Sequence, residues 1–207
     1  MNLPFQIKTI EEFKESTRVE KKSTFIARVN FADSEDRVKE YLNEIKKKYY
    51  NASHHCYAYR FADGNFRYSD AGEPSGSAGV RILNAIEHFE LTNQLVIVTR
   101  FFGGVKLGVG PLGKAYYLAA YKVLNESNII TKKLFQKVII KSGFNQVDIV
   151  HRILSKYNSI ILNTEYQDDV QFSCLVKLIE MDSITQKLSK MSNNEIIITP
   201  FQEFVYK

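Results

Sequence analysis

The sequence predicts an α+β protein with two domains. The glycines indicate the division, because nine of the ten lie between Gly64 and Gly113 and only Gly143 lies outside. The last part of the chain shows an order of strand, helix, strand, strand, helix and strand over about 70 residues, which is typical of a ferredoxin-like sandwich. We therefore predict domains at residues 1–132 and 133–207.

In the first domain, the spacing of apolar residues predicts alternating strands and helices. Strands are expected where apolar residues alternate or form a β-branched run, and helices where they recur every three or four residues. The predicted strands span residues 23–31, 54–61, 65–70 and 94–102. The predicted helices begin after Ser34, which is expected to cap the first, at Pro74 and Ser75, and at Gly110.

The same rules give the elements of the second domain. The predicted strands span residues 137–142, 159–166, 170–179 and 195–206. The predicted helices span residues 146–157 and 182–191.

Composition places the chain among ordinary soluble proteins. Of its 207 residues 44% are hydrophobic, and no apolar run approaches the roughly 18 residues of a membrane span. The N-terminus carries acids where a signal peptide would have basic and then apolar residues. Cys56 and Cys174 lie far apart and outside any metal-ligand spacing. We expect a cytoplasmic protein with reduced thiols, no metal or other cofactor, and no membrane partner.

Positive charge is concentrated on one segment. The net charge of +5 permits an acidic partner such as RNA or a phosphorylated ligand. Residues 91–125 contain no Asp or Glu. Their basic residues are Arg100, Lys106, Lys114 and Lys122. The sequence therefore predicts a local positive field around the glycine-rich part of the chain.

This segment carries an incomplete phosphate-loop pattern. Gly108 to Lys114 read G-x-x-x-x-G-K, the spacing with which backbone N–H groups and a lysine surround phosphate. Ala115 stands where a hydroxyl would hold magnesium, and Pro111 removes one N–H donor. The pattern favours an anion-binding surface over a nucleotide-hydrolysing loop.

A second cluster, "YSDAGEPSGSAG" (68–79), combines carboxylates with glycines and hydroxyls. Asp70 and Glu73 could hold a hard cation or serve as acid and base, although no further ligand is near in sequence. Alternatively, Ser75 or Ser77 caps a helix whose positive end the acids complement. The residues expected to organise this loop are Asp70, Gly72, Glu73, Ser75 and Gly76.

The strand "HHCYAYRF" (54–61) raises two further hypotheses. Cys56 could be a nucleophile with His54 on the same strand face, or a buried strand cysteine, which strand alternation without a third orienting group favours. The neighbouring aromatic and basic side chains could form a nucleic-acid stacking platform, or one alternating set of them could be core. These residues are Tyr57, Tyr59, Arg60, Phe61, Phe66, Arg67 and Tyr68.

Three segments together resemble the YigZ/IMPACT family: "ASHHCYAYR" (52–60), "DAGEPSGSAGVRIL" (70–83) and "VIVTRFFGGVKLGVGPLGKAY" (96–116). The resemblance covers roughly residues 15–125, and the rest is similar to the ferredoxin-like C-terminal domain of bacterial YigZ-type proteins. It implies an N-terminal α/β domain with a left-handed βαβ unit, as in elongation factor G and some ribosomal proteins. Ala71 and Lys114 depart from the family pattern, which usually has aspartate and arginine there.

The resemblance also implies a role in translation. Eukaryotic IMPACT regulates translation initiation under stress by competing for the activator of a kinase, and no catalytic residue is established in the family. We expect a translation regulator that binds RNA or the ribosome. The alternatives are an enzyme acting on a phosphorylated or nucleotide substrate and a regulator that binds protein alone. The residues predicted to contact phosphate are Arg100, Gly103, Gly104, Lys106, Gly108, Gly110 and Lys114.

Overall fold

The computed structural model describes residues 3–207, which divide into two compact units. The first comprises Ile7–Thr131 together with Leu3, and the second comprises Lys132–Lys207 together with Pro4–Gln6. Both units combine helices with an antiparallel sheet, so the predicted α+β class is confirmed.

The first unit contains the following elements. They are β1 (Gln6–Thr9), whose first residue belongs to the second unit, β2 (Lys14–Glu20), β3 (Ser23–Phe31), α1 (Glu35–Lys48), β4 (His54–Arg60), β5 (Phe66–Ser69), α2 (Gly79–His88), β6 (Gln94–Phe101) and α3 (Val109–Asn125). The sheet has the order β2-β3-β6-β4-β5, and every paired neighbour is antiparallel. Strands β3 and β4 therefore run parallel on either side of β6, with α1 in the connection between them.

Both faces of this sheet are covered, as the β-branched run of β6 predicts. Leu95 and Ile97 pack in a cluster with residues of α1, while Val96 and Val98 pack in a larger cluster with α2 and α3. All four side chains are fully buried. Strand β6 is thus the centre of the unit, and residues that follow it are held in a fixed position.

One expectation about local structure was wrong, and another was confirmed only in part. Helix α2 begins at Gly79 rather than near Pro74, because the intervening N–H groups bond to the Asp70 side chain instead of starting a helix. Ser34 occupies the N-cap position of α1 as predicted, although its side chain makes no capping hydrogen bond. No strand was predicted at β1 or β2. Strand β2 has the polar composition of an edge strand, so its apolar residues show no alternation.

The second unit follows the ferredoxin-like order. Its elements are β7 (Ile130–Ser142), α4 (Val147–Lys156), β8 (Ile160–Tyr166), β9 (Val170–Lys177), α5 (Met181–Met191) and β10 (Ile197–Tyr206). The antiparallel order β10-β7-β9-β8 is the 4-1-3-2 order of that fold. Side chains of α4 and α5 fill one core with the strands, and the Pro4–Gln6 segment joins through a hydrogen bond from Leu134 N–H to the Phe5 carbonyl.

Among residues 3–207, no helix has the length and apolar character needed to cross a membrane.

The glycine-rich segment after β6 packs directly against the turn between β2 and β3. A Cβ placed on Gly103 would lie 2.0 Å from the carbonyl carbon of Lys22. The Gly103 N–H also donates to Ser23 Oγ over 3.2 Å. Only glycine allows this close approach of two backbones.

We predict that Gly103→Ala lowers the free energy of unfolding by about 1–3 kcal/mol, because the new methyl group overlaps backbone that cannot rotate away. Urea unfolding followed by circular dichroism measures the change. Gly110→Ala is the matched control, since nothing lies within 4 Å of a Cβ at that position. Equal stability of Gly103→Ala and the wild type would contradict this packing.

Candidate functional site

The two glycine-containing motifs meet at a cavity of about 400 Å³ in the first unit. Its polar lining consists of His54, Glu73, Arg100 and Lys106. Its apolar lining consists of Pro74, Phe102, Leu107, Val109 and Leu112, and Gly108 completes the wall. A cavity of this size with a few convergent polar groups has the character of a small-ligand site.

A buried ion pair forms the floor of the cavity. Arg100 Nη1 donates to Glu73 Oε1 over 2.7 Å, and the two side chains are only 7% and 4% exposed. The Tyr116 hydroxyl donates to the same oxygen over 2.7 Å, and Arg100 Nη2 lies 3.3 Å from Ser23 Oγ. The pair therefore links the 70–79 loop to β6, to α3 and to the start of β3.

Asp70 shapes the loop that carries Glu73. Its carboxylate accepts N–H groups from Gly76, Ala78 and Gly79 over 2.8 to 2.9 Å. Burial alone would raise the pKa of Asp70, but these three hydrogen bonds outweigh it and hold the pKa below the usual value of 3.8. The carboxylate thus replaces a serine cap at the entrance of α2.

The other residues predicted to organise this loop have different positions. Gly72 and Gly76 adopt φ of +88° and +72°, which glycine tolerates best. Ser75 is exposed, and Ser77 donates its hydroxyl to the Pro74 carbonyl over 2.6 Å. Neither serine caps α2, whose cap position is Ala78, so the expected serine cap was wrong.

Cys56 and His54 do not form a nucleophile and base pair. Cys56 is fully buried, and its Sγ lies 2.9 Å from the Asp70 carbonyl and 3.4 Å from the Tyr116 hydroxyl. Burial raises the pKa of this thiol to about 12, so it is protonated at neutral pH and a poor nucleophile. His54 Nδ1 donates to the Ala71 carbonyl over 3.0 Å, and its Nε2 lies 3.8 Å from Glu73 Oε2.

The cations predicted to contact phosphate fall into two groups. Arg100 is buried and forms an ion pair with Glu73. Its role in phosphate contact stays a prediction. Lys106 lines the cavity and Lys114 lies on the exposed side of α3. Among residues 3–207, no carboxylate pairs with either lysine. Their charges are available to an anionic partner.

The N-terminus of α3 adds backbone donors to the same wall. Gly108 is its cap residue with φ of +84°, and no acid lies in the first turn. The N–H groups of Val109 and Gly110 have no intrahelical acceptor, while Pro111 has no N–H. Gly104 also has φ of +84°, which lets the segment reverse direction between β6 and α3.

Sequence reasoning missed three contributors to the site. Tyr116 and Ser23 bind the ion pair from positions 43 residues after Glu73 and 77 residues before Arg100. His54 lines the cavity, whereas the sequence suggested only that it could act as a base for Cys56. The tyrosine in "GKAYY" matched the family motif, but nothing in local spacing indicates its buried partner.

The aromatic side chains of β4 and β5 do not form a single platform. Tyr59 and Phe61 are buried and stack on each other with centroids 4.6 Å apart. Phe66 and Tyr68 are exposed, and their cross-strand partners Arg60 and Ala58 place them on the other face of the sheet. One set is therefore core.

No metal centre is evident in the described part of the chain. Among residues 3–207, no group of three or more His, Cys, Asp or Glu side chains is placed to hold a metal ion.

Comparison with known proteins places both units among related sequences. Residues 21–124 match the model of the Impact N-terminal domain, and residues 140–195 match a domain of unknown function, DUF1949. IMPACT family member YvyE of Bacillus subtilis is 29% identical over 189 residues, which cover 90% of this chain and 87% of that protein. A protein IMPACT homolog of Dictyostelium discoideum is 39% identical over 95 residues, covering 43% of this chain but only 27% of its own length.

A solved structure shares the fold of the whole chain. The crystal structure of a hypothetical protein covers 97% of this chain and 100% of its own with a TM-score of 0.69 and 23% identity. This likeness supports the two-domain α+β architecture.

We predict that Glu73→Gln lowers the free energy of unfolding by about 3–5 kcal/mol, because it leaves the Arg100 charge buried without a counterion. Adding Arg100→Met to this variant is expected to recover part of the loss. Urea unfolding of the single and double variants measures both effects. Lys39→Gln is the control, since it removes an exposed pair worth about 0–1 kcal/mol. The assignment fails if Glu73→Gln costs no more than this control.

We predict that Asp70→Asn destabilises the protein at neutral pH and that this difference from the wild type shrinks in acid. Because the native pKa of Asp70 is depressed, its contribution is complete above the unfolded value of 3.8. It is lost as the pH falls through the depressed native pKa. Unfolding free energies of both proteins between neutral and acidic pH test this. A difference that does not change with pH would argue against the three N–H contacts.

Proposed function

The chain belongs to the IMPACT family, and on that premise we propose that it acts in cytoplasmic control of translation by binding RNA or the ribosome. The binding surface is the glycine-rich basic surface, which we define as residues 102–114. The observation that carries the proposal is the positive charge of Lys106 and Lys114, with which no carboxylate pairs in the described part of the chain.

Phosphate diesters fit the groups that the glycine-rich basic surface offers. Lys106 and Lys114 supply cations with which no carboxylate of residues 3–207 pairs, and the first turn of α3 supplies free N–H groups. Such contacts to phosphate position a protein on nucleic acid without reading its sequence. Several of them together give binding that is strong at low salt and weak at high salt.

The turn between β2 and β3 extends this positive area. Lys21 and Lys22 are exposed, and the backbone of Lys22 touches Gly103 directly. These lysines lie far from the glycine-rich segment in sequence, so they are not among the basic residues of the acid-free segment 91–125. Their position beside the loop supports a surface wide enough for more than one phosphate.

A protein partner is the second candidate, and exposed apolar side chains favour it. Phe102, Val105 and Val109 are 49%, 43% and 61% exposed within the glycine-rich basic surface. Clustered apolar exposure of this kind marks interaction surfaces. A protein partner on the ribosome would use the same residues.

Catalysis receives less support from the geometry. Glu73 Oε1 already accepts two hydrogen bonds, and the Cys56 thiol is protonated at neutral pH. An enzyme acting on a phosphorylated substrate would need a free base or nucleophile beside the anion site. The arrangement favours binding.

We predict that the double variant Lys106→Ala with Lys114→Ala weakens RNA binding and lowers its salt dependence. The slope of log affinity against log salt should fall by about one unit for each lysine that contacts phosphate. Fluorescence anisotropy with labelled RNA over a salt series measures the slope. Co-sedimentation with ribosomes measures whether the protein binds them. Arg100 is left intact because its loss would unpair Glu73.

The matched control is Lys46→Ala with Lys47→Ala, two exposed lysines in the last turn of α1. An unchanged slope in the Lys106 and Lys114 variant would remove this surface from RNA binding. Co-sedimentation that survives nuclease treatment would favour the protein partner.

A further inference from the structure

We infer that the cavity beside the glycine-rich basic surface takes one unstacked nucleotide, with its phosphate at the start of α3 and its base against Phe102. This inference rests on the proposed RNA binding and names the form of RNA that the site selects. The nucleotide comes from a single-stranded segment or from a free nucleoside monophosphate, which share this chemistry.

The electrostatics of the cavity favour an anion. Its one carboxylate, Glu73, is neutralised by Arg100, whereas Lys106 and the α3 N-terminus have no neutralising partner among residues 3–207. Arg100 Nε is buried without a hydrogen-bond partner in the described residues. The Arg100 side chain is only 7% exposed and lines the cavity. A phosphate at the start of α3 would meet the Lys106 ammonium and the free N–H groups of the helix, while the one carboxylate of the lining is already paired with Arg100.

The aromatic ring at the cavity favours a planar base. Phe102 is about half exposed, and Arg100 Cζ lies 5.4 Å from its ring centroid, so the ring is held beside the cavity by a cation–π contact. Stacking on such a ring tolerates any base because every base has a π face. The chain thus offers a stacking surface directly after the strand that carries the ion pair.

Polar groups on the floor suit the edge of a base. Within the described residues, the hydrogen bonds to Glu73 go to Oε1, and His54 Nε2 lies 3.8 Å from Oε2. This oxygen keeps acceptor capacity for an N–H group of a base. An anion with a hydrocarbon chain, such as a fatty acid, would bring no N–H donor to this oxygen, which disfavours it.

The size and shape favour a single strand over a duplex. A volume of about 400 Å³ lies toward the small end of ligand pockets, so it accommodates one unit rather than a stacked pair. A base can enter only after leaving its stack, and bases in single strands and loops do so at lowest cost. RNA duplexes would reach only the lysines on the outer surface.

The experiment compares binding of a labelled single-stranded oligonucleotide, an RNA duplex of the same length, and free AMP and UMP. We expect Phe102→Ala to weaken binding of the single strand about tenfold and to leave duplex binding unchanged. Phe102→Tyr should restore single-strand binding, since it keeps the ring. Phe66→Ala is the matched control, because Phe66 is an aromatic residue of similar exposure on β5. Thermal unfolding of each variant verifies that it is folded.

The outcomes separate this inference from the proposed function. If the lysine variant loses RNA binding while Phe102→Ala affects neither RNA form, or both forms equally, the nucleotide site is wrong and RNA binding stands. If the wild type binds no RNA, the proposed function is wrong, and the mononucleotides decide: AMP or UMP binding that is lost in Phe102→Ala supports the site, and no binding overturns it.

Discussion

The ion pair between Glu73 and Arg100 is the interaction on which the site depends. Removing two charges from water is costly, and burial is tolerated only when the partners are well aligned and further hydrogen bonds satisfy them. Tyr116 and Ser23 supply those hydrogen bonds from α3 and β3. Because each partner comes from a different element, the pair forms only when the 70–79 loop, the central strand β6 and helix α3 are all in place. The cavity floor is therefore part of the fold rather than an addition to it.

This buried pair divides the basic residues of the segment into two kinds. Arg100 is paired with Glu73 and stabilises the structure. Lys106 and Lys114 are exposed, and no carboxylate of residues 3–207 pairs with them. A rigid floor favours binding by Lys106 and Lys114, because forming their contacts costs less entropy when the backbone that carries them is already fixed. Gly103 serves the same end, since its contact with Lys22 fixes the segment immediately before Lys106.

Elements that depend on interactions between residues close in sequence were predictable, whereas contacts between residues distant in sequence were not. Strands β3 and β6 and the ferredoxin-like order were predictable because their periodicity is local. The start of α2 was not, because Asp70 takes the N–H groups of Gly76, Ala78 and Gly79, and a side chain that bonds backbone overrides helix propensity. The site residues of the two glycine-containing motifs were indicated by local charge and glycine content and by the family resemblance. The contacts of Tyr116 and Ser23 with the ion pair were not predictable, because their partners are distant in sequence and no spacing rule connects residues across a sheet.

The phosphate-loop pattern shows how the same residues acquire a different meaning once the helix boundary is known. Helix α3 begins at Val109, so Gly113 and Lys114 lie inside its second turn rather than in a loop before it. Gly113 packs near Arg81 Nε and the Ser77 carbonyl, where a Cβ would lie 3.3 to 3.5 Å away, so it serves helix packing. The amides of a second turn donate within the helix, which leaves only those of Val109 and Gly110 for an anion. Two amides and separate lysines are too few to enclose a nucleoside triphosphate, but they suit the repeated single charges of a nucleic-acid backbone, where each contact is weak and their number gives affinity.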